Sequence, residues 1–177
     1  MSILKVARMG HPVLRQRARS LDKADLRKPV VQKLIEDMVE TMYEYHGVGL
    51  AAPQVHEGLR IFVAMLDEEP DAKSDAVVIV NPEIVPNGAA TEEGWEGCLS
   101  IPDIRGMVPR HVDVNLRALD RQGKAFELRL KNFPARVVQH ETDHLDGVLF
   151  FDRMRSMETL TFLEEFSKYW TKGENEP

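Results

Sequence analysis

The sequence predicts an α+β fold. Three observations carry that expectation: helix-period apolar residues near the start, a middle stretch of short strand-like runs, and a return to helical spacing after Pro134. Helices gathered at the two ends of a strand-rich segment do not make the alternating strand–helix repeat of a parallel sheet. A chain of 177 residues suits one domain. At this size about 70% of the unfolded surface can be buried, enough for a core of its own. Residues 1–177 are therefore read as a single unit, with about 171–177 (TKGENEP) as a tail that frays.

A long N-terminal helix is expected over 25–46. Val30, Val31, Leu34, Ile35, Met38, Val39 and Met42 recur at helical spacing, and Gly47 stands where a glycine ends a helix. Strands follow. Residues 60–66 and 76–80 are apolar runs of the buried-strand type, and 83–85 is a further short run bracketed by Pro82 and Pro86. Between them, 67–75 (DEEPDAKSD) is a polar, exposed loop. Residues 111–119 alternate Val112, Val114 and Leu116 with polar residues, the period of a half-buried strand. The turn Asp120-Arg121-Gln122-Gly123 returns the chain as a hairpin partner over 125–130. Pro134 opens a second helix, in a first turn where its missing N–H has no partner to lose. Val137, Val138 and Leu145 lie along that helix, and Gly147 closes it. A C-terminal helix is expected over about 156–170, with Leu160, Leu163, Phe166 and Trp170 on one stripe.

Composition narrows the function classes. Hydrophobic residues at 43% and charged residues at 29% describe an ordinary soluble globular chain. No apolar run approaches the ~18 residues of a membrane span, and the start, MSILKVARMG, lacks the apolar core of a secretory signal. A net charge of −6 argues against bulk binding to nucleic acid. Residues 1–33 nonetheless carry nine Lys/Arg against two acids, a pattern read first as a solvated basic face. The lone cysteine, Cys98, forms no internal disulfide and points to a reducing, cytosolic compartment.

The strongest chemical signal is His140-Glu141-Thr142-Asp143-His144. Histidines four apart on a helix share one face, so both imidazoles can reach one metal, and the Glu beside the first is placed to accept a proton from water. The pentapeptide also fits two surface histidines flanked by acids, so a third ligand decides the matter. Gly147 falls where metzincins have a glycine, but Phe150 occupies the position of their third His. Glu164, twenty residues after His144, is the candidate of a gluzincin-like peptidase. Cys98, in Glu96-Gly97-Cys98-Leu99-Ser100, a small-residue turn expected between two strands, is the other. A thiolate with two neutral imidazoles leaves one corner of a tetrahedral site open. A third segment, Gly47-Val48-Gly49-Leu50-Ala51-Ala52-Pro53-Gln54, partly fits a dinucleotide fingerprint, but a helix precedes it and Pro53 disfavours a helix through Ala52. Its glycines instead let a ligand approach the backbone, and Gln54 offers an amide donor.

In that order the three segments resemble the peptide deformylase family, whose pattern is GxGxAAxQ, EGCxS and QHExDHxxG. Residues 47–54, 96–100 and 139–147 match it without a gap, and Gly10-x-Pro12-Val13-Leu14 is similar to a weaker N-terminal signature. The resemblance runs from about residue 4 to 153. It implies antiparallel β-sheets packed around a central HExxH-bearing helix. It also implies that the chain removes the formyl group from formyl-methionine of nascent polypeptides. The ligands it implies are Cys98, His140 and His144, holding one divalent metal. Fe2+ is the expected physiological ion, and Zn2+ or Ni2+ can load a purified sample because both bind such donors more tightly.

The same resemblance makes Glu141 the acid/base and gives oxyanion stabilisation to the Gln54 amide and the Leu99 backbone N–H. Val48, Gly49 and Gly97 would expose backbone to an extended peptide, and Phe133 and Val137 would line the methionine pocket. Arg136 stands where many relatives have an apolar pocket residue, and 135–139 look like the organellar-type branch. Asp143 and Asp146 are the nearby candidates to orient the ligating histidines. The implied setting is the bacterial cytoplasm, or an organellar matrix in a eukaryote. Partners are N-formylmethionyl peptides and, through the basic stretch, a transient ribosome contact, with neither nucleic acid nor membrane as a target.

Overall fold

Proline placement divides the N-terminal helical pattern in two. In the computed structural model, which describes residues 2–71 and 74–171, Asp22 caps a short helix α1 (Lys23–Leu26) by accepting the Asp25 N–H at 2.7 Å. Pro29 then opens α2 (Pro29–Glu44) from its first turn. The unbroken helix expected over 25–46 is interrupted because the residue before a proline is driven out of helical space, and Lys28 sits at φ −67, ψ 129. α2 ends through His46 at φ 53 rather than through Gly47. Gly47 is needed for room instead, since a Cβ there would lie 3.0 Å from the Leu99 side chain.

All named strand pairs are antiparallel. The strands are β1 (Gly49–Ala51), β2 (Ile61–Met65), β3 (Ala76–Pro86), β4 (Thr91–Cys98), β5 (Ile101–His111), β6 (Asp113–Leu119), β7 (Ala125–Lys131) and β8 (Thr161–Phe162). They form a five-stranded sheet in the order β1-β2-β3-β6-β7 and a three-stranded sheet in the order β4-β5-β8. The two runs expected at 76–80 and 83–85 are one strand, β3, with an irregularity between Val80 and Glu83. Asn81, at φ 50, marks that break, and its amide both accepts from the Leu21 N–H and donates to the Leu21 carbonyl. The small-residue turn at 96–100 does lie between two strands, β4 and β5, whose half-exposed faces rich in Glu, Gly and Arg give no apolar run from which to read their bounds. His111 ends β5, so the alternating strand β6 starts at Asp113 rather than at 111.

Helix α3 (Asn132–Leu145) carries both motif histidines, and Gly147 turns the chain away at φ 75. The C-terminal helix is shorter than the expected 156–170. A 3-10 turn at Met157–Thr159 and strand β8 come first, and α4 spans Leu163–Tyr169. Pairing of Phe162 with Ile104 and Thr161 with Arg105 holds those two residues in extended form at the edge of β5.

The continuous burial of β2 follows from period-two alternation between two helices. Ile61, Val63 and Met65 join Val31, Ile35, Met38 and Met42 in one cluster, on the α2 side. Phe62 and Ala64 join Ala135, Val138 and Leu145 of α3 in another. A third cluster gathers Ala7, Leu14, Cys98, Val108, Leu149 and Phe150. α3 thus lies between the two sheets, with Cys98 approaching from the smaller one.

The turn after α3 tests this packing. A Cβ on Gly147 would meet the backbone of Arg15 at 2.8 Å while forcing a side chain into left-handed space. Gly147→Ala is therefore expected to cost about 2 kcal/mol or more, read as a lower denaturant midpoint at unchanged slope. An unchanged midpoint would mean that the 15–16 backbone is free to retreat from the end of α3.

Candidate metal centre

Cys98 is the last residue of β4, and His140 and His144 stand one turn apart on α3, with ring centroids 5.0 Å apart. The Cys98 Sγ lies 3.2 Å from His144 Nε2 across a sequence separation of 46 residues. One ligand atom from each of Cys98, His140 and His144 falls within 4.8 Å of the others. The donor set, one thiolate and two imidazoles, fits a late first-row divalent cation. The electrostatics are built around positive charge. Burial would push the Cys98 thiol up, but the flanking His144 and His140 outweigh it and hold the thiol well below its ordinary range. Burial would likewise depress His140, and its contacts with Cys98 and Glu96 instead raise it well above the usual imidazole value.

His140 is oriented from behind by Glu96, whose Oε2 lies 2.9 Å from Nδ1, leaving Nε2 to face Cys98. Neither acid expected for this task performs it. Asp143 is bound by Arg110 at 2.5 Å and by Arg153 at 2.7 Å, and Asp146 by Arg60 at 2.7 Å. Both point away from the imidazoles because the faces they occupy on α3 and its end meet arginines of other elements. Glu96 is two residues before Cys98 on β4, so strand alternation returns both side chains to the buried face. That spacing was a usable signal for it. Arg110 grips Glu96 through Nε at 2.9 Å and Nη2 at 3.0 Å, and Arg136 adds a bond of 2.9 Å to Oε1. Although burial opposes ionisation, His140 and Arg110 keep the Glu96 carboxyl far below the usual carboxylate range. Arg136 also donates to the carbonyls of Val108 at 2.7 Å and Glu92 at 2.8 Å. It is thus a strap from α3 to the β4–β5 hairpin, which explains how a cation is accommodated at a pocket position.

The Glu141 carboxylate is buried, and its Oε2 has no hydrogen-bond partner among the described residues. Burial raises its pKa. Gly49 makes the room, because a Cβ there would overlap the Glu141 carboxylate. Gln54 is also buried. Its Oε1 accepts the Ala51 N–H at 2.8 Å, which directs Nε2 toward Cys98 Sγ at 3.5 Å and Ser100 Oγ at 3.3 Å.

A cleft of about 670 Å³ opens over this cluster, within the usual range of ligand sites. Val48, Gly49, Gln54, Gly97, Cys98, Leu99, Phe133, Val137, His140 and Glu141 all line it. The structure therefore brings every expected site residue to one place, with His144 buried just behind. Lys5, Arg8, Trp95, Arg105 and Leu163 line the cleft as well, and nothing in the motif spacing singled them out. Glu164 is the residue that does not converge. Its side chain is 78% exposed on α4 and pairs with Lys168 at 2.7 Å, as an acid one turn before a lysine commonly does, so the gluzincin-like ligand set is set aside.

Comparison with known proteins agrees with this geometry. The sequence model of the polypeptide deformylase family matches residues 3–160. Peptide deformylase 2 of a Nostoc species is 38% identical over 175 residues, 97% of each chain. Peptide deformylase of Thermotoga neapolitana is 43% identical over 156 residues, 88% of this chain and 90% of that one. A solved class I type b peptide deformylase from Acinetobacter baumannii, bound to Met-Ala-Ser, superposes with a TM-score of 0.80 at 40% identity. That likeness covers 87% of this chain and 100% of the other. On matches of this length and identity, the chain belongs to the peptide deformylase family.

Proposed function

We propose that this chain hydrolyses the N-terminal formyl amide of formyl-methionyl nascent polypeptides, releasing formate, with its own residues in the roles set out below. The observation that carries this reading is the convergence of Cys98, His140 and His144 beside the buried, partner-free oxygen of Glu141. A divalent cation held by those three ligands would supply Lewis acidity, lowering the pKa of water and polarising the formyl carbonyl. Glu141 takes the proton of the attacking water and returns it to the departing nitrogen. The new bond joins the water oxygen to the formyl carbon, and the bond that breaks is carbon to nitrogen, leaving formate and a free amine. Burial suits Glu141 to this exchange, since a raised pKa brings a carboxylate closer to working pH. Gln54, held at Oε1 by the Ala51 N–H, presents Nε2 to the oxygen that gains charge, and the Leu99 N–H is the second donor.

Substrate placement follows from the sheet edges. β1 ends the larger sheet and β4 ends the smaller one, so both border the cleft with one side unpaired in the described sheets. An extended peptide can add along them at Val48, Gly49 and Gly97. Phe133 and Val137, on the first turns of α3, receive the methionine side chain.

We assign ferrous iron as the physiological ion on the resemblance to the peptide deformylase family, since the donor set by itself does not select it. Zinc and nickel outcompete it for such ligands, so the metal found depends on how the protein is prepared. A reducing cytoplasm suits a thiolate that must stay unoxidised. No helix among the described residues is long and apolar enough to cross a membrane. Ribosome contact is assigned a transient role at most. Arg15, Arg17, Arg19, Lys28 and Lys33 of the basic stretch are already paired with the chain's own acids.

Metal analysis separates the ligand sets. Cys98→Ala should lose the ion while Glu164→Ala keeps a full equivalent, and the reverse pattern would reinstate the gluzincin-like arrangement. Formate release from formyl-Met-Ala-Ser, measured anaerobically on the ferrous protein, tests the chemistry. Glu141→Ala should keep its metal and lose about 10²–10⁴-fold in turnover, and undiminished turnover would remove Glu141 from the acid/base role. Gln54→Ala should lose about 10²–10³-fold, and a rate unchanged from the parent would leave the oxyanion without that donor.

A further inference from the structure

The C-terminal segment reaches the cleft, although the catalytic cluster makes no use of it. Leu163, the first residue of α4, lines the cleft together with Trp95 of β4. Trp95 packs edge-on against two residues of the C-terminal segment, Phe166 at 4.8 Å and Trp170 at 5.1 Å between ring centroids. Strand β8 fixes the start of this segment by pairing Thr161 with Arg105, itself a cleft residue. Trp95 is adjacent to Glu96 and two residues before Gly97, so the aromatic cluster joins the β4 edge along which the peptide is placed. The segment lies past residue 160, where the family match ends.

We propose that β8 and α4 form one wall of the substrate groove. In this arrangement Leu163 contacts apolar side chains of the formyl-peptide, and Phe166 and Trp170 hold Trp95 in place as the adjoining surface. The inference rests on the deformylase reading and adds to it an element that sets substrate preference. Apolar side chains are the class selected, because Leu163, Trp95, Phe133 and Val137 face the same cleft. Phe166 and Trp170 are positioning residues, acting through Trp95.

Kinetics and fluorescence together test it. With formyl-Met-Leu-Ser and full metal occupancy, Leu163→Ala should raise KM about tenfold with kcat within about twofold of the parent. Phe166→Ala should move KM in the same direction, and Lys168→Ala, on the exposed side of α4, should not. Trp95 and Trp170 are the chain's two tryptophans, so emission reads the wall directly. Titration of Met-Ala-Ser into the full-length metal-loaded protein should change that emission, with calorimetry confirming that the peptide binds. Unchanged KM in both α4 variants, a fall in kcat without a change in KM, or peptide binding that leaves emission unaltered would each overturn the wall. Because the fluorescence arm uses the unaltered chain, a variant that fails to fold does not shield the proposal. A metal-loaded parent that releases no formate and binds no Met-Ala-Ser would instead sink the deformylase reading and the wall with it.

Discussion

The Glu96 carboxylate is the constraint on which the rest of the molecule depends. Each of its oxygens serves two cationic or hydrogen-bonding groups: Oε1 receives Arg110 Nε and Arg136 Nη1, and Oε2 receives Arg110 Nη2 and His140 Nδ1. Taking a carboxylate and a guanidinium out of water is costly, and the cost is offset only when every lone pair and N–H is satisfied. Here the network continues through Arg110 to Asp143 and from Asp143 out to the half-exposed Arg153, so the charges alternate in sign. Its members come from β4, β5, α3 and the segment after α3. The arrangement locks the orientation of His140 and the height of the β4–β5 hairpin over α3 at the same time. The position of Cys98 relative to the two imidazoles is therefore inherited from an ion-pair network rather than from the thiol itself.

Packing supplies the other half of the rigidity. α3 is buried between two sheets, and its apolar residues interdigitate with Phe62, Ile79 and Leu116 of the larger one. Cys98 belongs to a separate apolar cluster with Leu14, Val108 and Phe150. The ligands of one site thus belong to two cores, and neither core can shift without moving a ligand. Glu141 sits at the contact of α3 with β1, where a strand residue without a side chain leaves space for a carboxylate and no more.

Much of this was legible in the sequence. The HExxH spacing puts two imidazoles on one helix face, but spacing alone leaves Cys98 and Glu164 both open as the third ligand, and it is the resemblance to the deformylase pattern that selects Cys98 and gives Gln54 its role. Residues that act across elements were harder to see. Glu96 carries a signal, its two-residue offset from Cys98, but Asp143 and Asp146 are nearer to the histidines in sequence and stand as the candidates. Trp95 and Leu163 carried none, since their meeting depends on where β8 pairs. The extents of β4 and β5 on either side of the expected turn are not legible, because their half-exposed, charged faces lack the apolar runs that mark buried strands. The helix over 25–46 and the one over 156–170 were drawn too long because apolar periodicity continued through Pro29 and through a short extended pair at 161–162.

The ligands' placement on a strand and on a later helix has a temporal consequence. Cys98 leaves the synthesising machinery some forty residues ahead of His140, and in that interval the growing chain offers one soft donor with no imidazole pair to share a cation. Closing the β4–β5 hairpin pairs Arg110 with Glu96 but leaves Arg110 Nη1 without Asp143 and Glu96 without His140 until α3 arrives. The metal ligand set and the hydrogen-bond network behind it are thus completed by the same late helix. No three-ligand site exists until α3 has been made and has docked against β4.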